Sequence, residues 1–267
     1  MSSRLKETFT AARKARRAAL VTYVTAGDPD LDRTVELARA LRRGGADVLE
    51  LGVPFTDPIA DGPTNQAAAE RALASGTTLA GVLEAVREIR RLGETIPIVL
   101  FTYANPVLRQ GIDRFAADAA AAGVDGVLFT DVPSEESGRF RRPLLNAGLD
   151  PVMLVAPTST KERVRAAAKA GRGFLYLVSR TGVTGARSAL DRELEPTIRA
   201  VRKLSSLPVA VGFGISTPGQ VETVARVADG VVVGSAIVER VARLGESPDL
   251  PDAVQAFVTT LAEACRR

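Results

Sequence analysis

Apolar residues along this 267-residue chain fall into two alternating rhythms. One is a short run, apolar almost throughout, at 20–25, 48–53, 96–103, 126–132, 151–155, 174–179, 209–214 and 230–234. Runs of this length without polar alternation read as strands buried on both faces. The other rhythm is a helical stripe between the runs. Leu79, Val82, Leu83, Val86 and Ile89 keep the spacing of one buried helix face, and Leu31, Val35, Ala38 and Leu41 do the same earlier. Ser159 with Glu162 predicts a capping box, and Thr217-Pro218 an N-cap followed by proline at the first helical position. Gly45-Ala46-Asp47, Gly123-Val124-Asp125 and Ala228-Asp229-Gly230 are turns that feed strands.

Eight strands alternating with helices predict an α/β fold, a (β/α)8 TIM barrel. An open doubly wound sheet is the alternative, but no Gly-x-Gly-x-x-Gly follows the first strand and the eight repeats fill the length. No linker divides the chain, so residues 1–267 are expected to form a single domain. Residues 2–17 carry Leu5 and Phe9 at helical spacing among arginines and lysines, which predicts an additional N-terminal helix. No apolar stretch with a cleavage site follows it and no run approaches a membrane span, so a cytoplasmic location is expected.

Composition narrows the chemistry. Apolar residues make up 46% and charged residues 25%, which fits a globular protein with a full core. The formal net charge of +4 is spread over many helices with little aromatic interleaving, which argues against a nucleic-acid groove and suits a small anionic substrate. The chain has no histidine, so Ser-His-Asp and Cys-His catalysis and His-ligated metals are excluded. Its one cysteine, Cys265, cannot form a disulfide within the chain. Lys6, Lys14, Lys161, Lys169 and Lys203 all fall in predicted helices and none at a strand end, which disfavours a Schiff base. Carboxylates, hydroxyls and backbone dipoles remain.

Two carboxylates then draw notice. Glu50 interrupts the apolar strand at 48–53, where an unpaired charge costs several kcal/mol in effective terms. Asp61 follows in a loop that Pro58 and Pro63 restrict and Gly62 lets bend. Each also has a purely structural reading, Glu50 as an ion-pair partner and Asp61 as a turn former. In a barrel both reach the C-terminal mouth of the strands, where active sites of this fold lie. Gly212-Phe213-Gly214-Ile215-Ser216 and Val233-Gly234-Ser235-Ala236 end the last two strands, the usual phosphate end of a barrel, and a helix beginning at Ser235-Ala236 would add its dipole. The polar, glycine-hinged stretch 180–188 suits a lid; it lacks the ending of a Walker A loop.

Residues 49–64, Leu-Glu-Leu-Gly-Val-Pro-Phe-Thr-Asp-Pro-Ile-Ala-Asp-Gly-Pro-Thr, closely resemble the signature of the tryptophan synthase alpha subunit family. Thr102-Tyr103-Ala104-Asn105-Pro106, Thr130-Asp131-Val132-Pro133, the block at 179–185 and Gly212-Phe213-Gly214-Ile215-Ser216 resemble its other blocks, in the same order. The resemblance implies a carbon–carbon lyase of L-tryptophan biosynthesis, cleaving 1-(indol-3-yl)glycerol 3-phosphate to indole and D-glyceraldehyde 3-phosphate. It implies Glu50 and Asp61 as catalytic residues. Tyr176 would lie beside Glu50, and Thr184 beside Asp61. Tyr23, Phe101, Phe213 and Leu128 would wall the indole, and Tyr103 and Thr130 would line the substrate site. Gly185, Gly214, Gly234 and Ser235 would hold the phosphate. Tyr23, Thr56 and Thr130 depart from the family's commoner residues without removing a catalytic group. The resemblance further implies an alpha2beta2 heterotetramer in which residues 53–61, 105–108 and 131–133 face a beta subunit and indole passes to it. It implies no cofactor or metal in this chain, pyridoxal phosphate belonging to the partner. A free-standing lyase, a non-catalytic barrel that activates a partner, and a different phosphosugar isomerase are the competing readings.

Overall fold

The computed structural model describes residues 3–178, 187–212 and 214–267, the side chains of 187–193 apart. Eight parallel strands close on themselves in sequence order: β1 (Ala19–Thr25), β2 (Val48–Gly52), β3 (Ile98–Thr102), β4 (Gly126–Phe129), β5 (Asp150–Val155), β6 (Leu175–Val178), β7 (Val209–Gly212) and β8 (Gly230–Val233). β1 pairs with β8 as well as with β2, which shuts the barrel. The predicted (β/α)8 barrel is therefore the fold. The strands are shorter than the apolar runs suggested. β3 starts after Pro97, and β4 ends at Phe129 rather than reaching residue 132.

Around the barrel run α2 (Leu31–Arg43), α3 (Pro63–Ala74), α4 (Leu79–Arg91), α5 (Ala104–Gln110), α6 (Ile112–Ala122), α7 (Gly138–Asn146), α8 (Lys161–Ala170), α9 (Arg187–Arg202), α10 (Pro218–Ala225), α11 (Ser235–Leu244) and α12 (Leu250–Ala264), after an N-terminal α1 (Arg4–Lys14). Thr217 makes the full capping box with Gln220. The capping box expected at Ser159 does not form. Thr160 is the N-cap of α8, accepting from the Arg163 N–H, while the Ser159 hydroxyl turns back to accept from the Ala156 N–H at 3.0 Å. Lys203 lies just past the end of α9 rather than inside it. Among the described residues no helix is long and apolar enough to cross a membrane.

The two-residue strand period sorts side chains into two layers. Leu20, Leu49, Leu51, Ile98, Leu100, Leu175, Leu177, Val209 and Val231 face outward into the core shared with the helices. Val21, Val48, Val99, Leu128, Val152, Phe174, Ala210 and Val232 face the barrel interior. Helix α1 closes the N-terminal end of that interior. Its Leu5 and Phe9 join the interior cluster, and the Phe9 ring lies 5.1 Å from that of Phe174.

The same end is tied by a repeated device. Asp47, Asp125 and Asp229, from the three strand-feeding turns, accept the N–H of Leu20, Ile98 and Val209 at 2.8, 2.8 and 2.9 Å. Each aspartate also holds an arginine: Arg17, Arg90 and Arg202 respectively. Each carboxylate thus fixes the start of the neighbouring strand and satisfies a backbone donor that the barrel rim leaves unpaired.

Candidate active site

Glu50 shares the phase of Val48 along β2, so it too points into the barrel, two residues nearer the C-terminal mouth. It stands level with Tyr23 on β1 and Val99 on β3. The residue is 1% exposed, and its Oε1 has no hydrogen-bond partner among the described residues. Burial pushes its carboxyl up to about 8. At neutral pH Glu50 is therefore a carboxylic acid with a proton to give, and one that can take a proton back.

Asp61 arrives by a different route. After β2 the chain turns at Pro58, whose carbonyl accepts the Asp61 N–H at 3.0 Å. The Gln66 side chain then donates to the Asp61 carbonyl at 2.9 Å. The Asp61 carboxylate accepts the Tyr103 hydroxyl at 2.7 Å, and the same Tyr103 oxygen accepts the Ala60 N–H at 3.0 Å. Partial burial raises the Asp61 carboxyl, while the bonds from Tyr103 and Asn65 pull it down. The result is a held, oriented acceptor at the rim.

Both carboxyl groups open onto one cavity of about 240 Å³ at the C-terminal mouth. Its lining includes the apolar residues Tyr23, Phe101, Tyr176, Ile215 and Val232, together with Gly214, Gly234, Ser235, Thr64 and Glu239. The Tyr23 and Phe101 rings meet edge to face at 5.3 Å. Strand-end glycines make room for two of the aromatics. A Cβ on Gly52 would lie 2.2 Å from the Tyr23 hydroxyl, and one on Gly212 would lie 2.2 Å from the Tyr176 hydroxyl. Burial raises the Tyr23 and Tyr176 hydroxyls far above the ordinary phenol range, and the nearby carboxylates add to it. All three tyrosines of the chain, Tyr23, Tyr103 and Tyr176, thus gather about Glu50 and Asp61.

Gly234 is the N-cap of α11 and Ser235 its first residue, so the free N–H groups of that helix begin at the cavity. Gly214 takes a φ of 76°, a backbone angle that glycine adopts without strain. An aromatic-walled pocket with a buried acid, an oriented carboxylate and a helix N-terminus suits proton transfer to a flat apolar ring carrying a phosphorylated tail.

Of the residues singled out in the sequence, Glu50, Asp61, Tyr23, Phe101, Tyr176, Gly214, Gly234 and Ser235 line this one cavity. Tyr103 and Thr130 do not line the cavity. Tyr103 backs Asp61, and the Thr130 hydroxyl reaches the Thr102 carbonyl at 3.4 Å. Leu128, fully buried in the interior cluster, is core. Thr184, Gly185, Phe213 and most of the expected lid lie outside the described residues. Nothing local in the sequence marks Tyr103 and Asn65 as the partners of Asp61, or Glu239 as a lining residue. The glycines of β2 and β7 carried a signal, since glycine inside a strand marks a close approach.

A family model described as tryptophan synthase alpha chain matches residues 9–266. A tryptophan synthase alpha chain from Solibacter usitatus is 52% identical over 259 residues, covering 97% of each chain. Another from Geobacter sulfurreducens is 52% identical over 262 residues, covering 98% of each. The solved structure of tryptophan synthase subunit alpha from Legionella pneumophila superposes with a TM-score of 0.92 at 37% identity, covering 99% of each chain. With its barrel, its cavity and this likeness from end to end, the chain belongs to the tryptophan synthase alpha chain family.

Proposed function

We propose that Glu50 and Asp61 carry the alpha reaction of this chain, the retro-aldol cleavage of 1-(indol-3-yl)glycerol 3-phosphate to indole and D-glyceraldehyde 3-phosphate. Residues 1–267 act as one working unit in the cytoplasm. Glu50 gives its proton to indole C3, forming an indoleninium whose positive charge is shared with the ring N–H. Asp61 accepts that N–H and stabilises the charge. Glu50, now a carboxylate, removes the proton from the adjacent side-chain hydroxyl. The C–O bond becomes a carbonyl, the bond from C3 to the side chain breaks, and its electron pair returns to the ring as indole. Glu50 ends protonated, as it began. Tyr23, Phe101 and Phe213 wall the ring, and Gly185, Gly214, Gly234 and Ser235 hold the phosphate. Tyr176 flanks Glu50, while Thr184 on the lid and Tyr103 steady Asp61. No step asks a cofactor or metal of this chain.

The observation that carries this reading is Glu50 itself, an acid kept neutral by burial with a free oxygen, in the same cavity as Asp61. The partner is a tryptophan synthase beta subunit, which holds the pyridoxal phosphate and receives the indole in an alpha2beta2 assembly. Ile59, 86% exposed, and Leu108, 42% exposed, support docking through the loop after β2 and through α5. The test is indole release from indole-glycerol phosphate by the purified chain, with and without a beta subunit. Slow release that rises sharply with the partner is expected. Fast release indifferent to the partner would favour a free-standing lyase, and no release in either case a non-catalytic barrel.

A further inference from the structure

The described residues that line the cavity include no lysine or arginine, yet three carboxyl groups reach it, those of Glu50, Asp61 and Glu239. The reaction uses the first two. Glu239 lies on α11 four residues past Ser235, so both occupy one helix face. Helical side chains lean toward the N-terminus, which carries the Glu239 carboxylate toward the first turn of α11, where Gly234 and Ser235 meet the cavity. Its Oε1 accepts the Thr64 hydroxyl of α3 at 3.3 Å. Arg240, the next residue, is engaged elsewhere. Arg240 donates to the Ala236 carbonyl at 2.7 Å, and its guanidinium stacks 3.3 Å from the centre of the Phe257 ring.

We propose that Glu239 weakens the hold on the substrate's phosphate, and so sets how readily the phosphorylated product leaves. The inference rests on the phosphate reading given above. The N-terminus of α11 attracts an anion with roughly half a positive charge. A full negative charge within about two turns of it opposes that attraction. Because Glu239 is exposed at the rim, solvent and salt screen the effect. Its size is then about threefold to tenfold in affinity at low ionic strength.

The test titrates glycerol 3-phosphate and inorganic phosphate into the purified chain as wild type, Glu239→Gln and Thr64→Val. Each is measured at low salt and at about 1 M, where screening is nearly complete. Glu239→Gln keeps an acceptor for Thr64 and loses the charge, and it is expected to bind both ligands about threefold to tenfold more tightly at low salt, with the gain fading at high salt. Thr64→Val keeps the charge and breaks the bond, and it is expected to bind no more tightly. Unchanged or weaker binding by Glu239→Gln overturns the inference. A gain indifferent to salt, or one matched by Thr64→Val, does the same. If the wild type binds neither ligand the phosphate reading fails and the inference with it; if it binds and Glu239→Gln is unaltered, the inference alone fails.

Discussion

Glu50 sets burial against ionisation. Its carboxyl titrates at about 8 in the folded chain, against an ordinary 4.5, because burial penalises the charge. Between those values the folded protein holds a proton that the unfolded chain releases. The stability this provides is fully present below the unfolded value and is lost as pH rises through the native one. Glu50→Gln has no charge to bury, so its urea midpoint should match that of the wild type near about pH 5 and exceed it above about pH 8. The gap should reach the order of a few kcal/mol at most. A gap that stays the same at both ends would show that folding does not raise the Glu50 carboxyl. Single residues were legible where they broke a local rule. Glu50 is polar in an apolar run, and Asp61 sits in a loop stiffened by Pro58 and Pro63. Tyr103 broke none, and its bond to Asp61 spans 42 positions that only folding brings together.

Among the elements, α1 has the plainest task. It carries Leu5 and Phe9 into the barrel floor, and a Cβ on Gly230 would already come within 2.9 Å of the Phe9 ring. Phe9→Ala should cost about 3–5 kcal/mol, read as a lowered denaturant midpoint. Indole release below the unfolding transition should stay close to that of the wild type, because the floor lies at the end opposite the cavity. A selective loss of activity at unchanged stability would mean that α1 acts on the site. The elements themselves were readable because strands buried on both faces are apolar throughout and helices keep a stripe. Their ends were less so. Ser159 and Thr160 are both good caps, and the choice falls to Thr160 because the Ser159 hydroxyl is bound by the Ala156 N–H. The three aspartate clamps were visible only as turns, since their acceptor role depends on the strand next door.

At the scale of the whole molecule, closure makes the site. β8 comes to lie against β1, which brings Gly234 and Ser235 into the same cavity as Tyr23, Glu50 and Asp61. In the proposed mechanism one mouth serves ring, proton transfer and phosphate, while the exposed Ile59 and Leu108 sit on the segments expected to face the partner. In the proposed mechanism Glu50 moves protons and does not hold the pocket together. The most direct measurement compares Glu50→Gln with the wild type in two quantities, indole release in the presence of a beta subunit and affinity for glycerol 3-phosphate. Release should fall by about a hundredfold to ten-thousandfold, the usual span of a lost general acid–base, with affinity within about twofold. Retained turnover, or an equal loss of turnover and affinity, would contradict it.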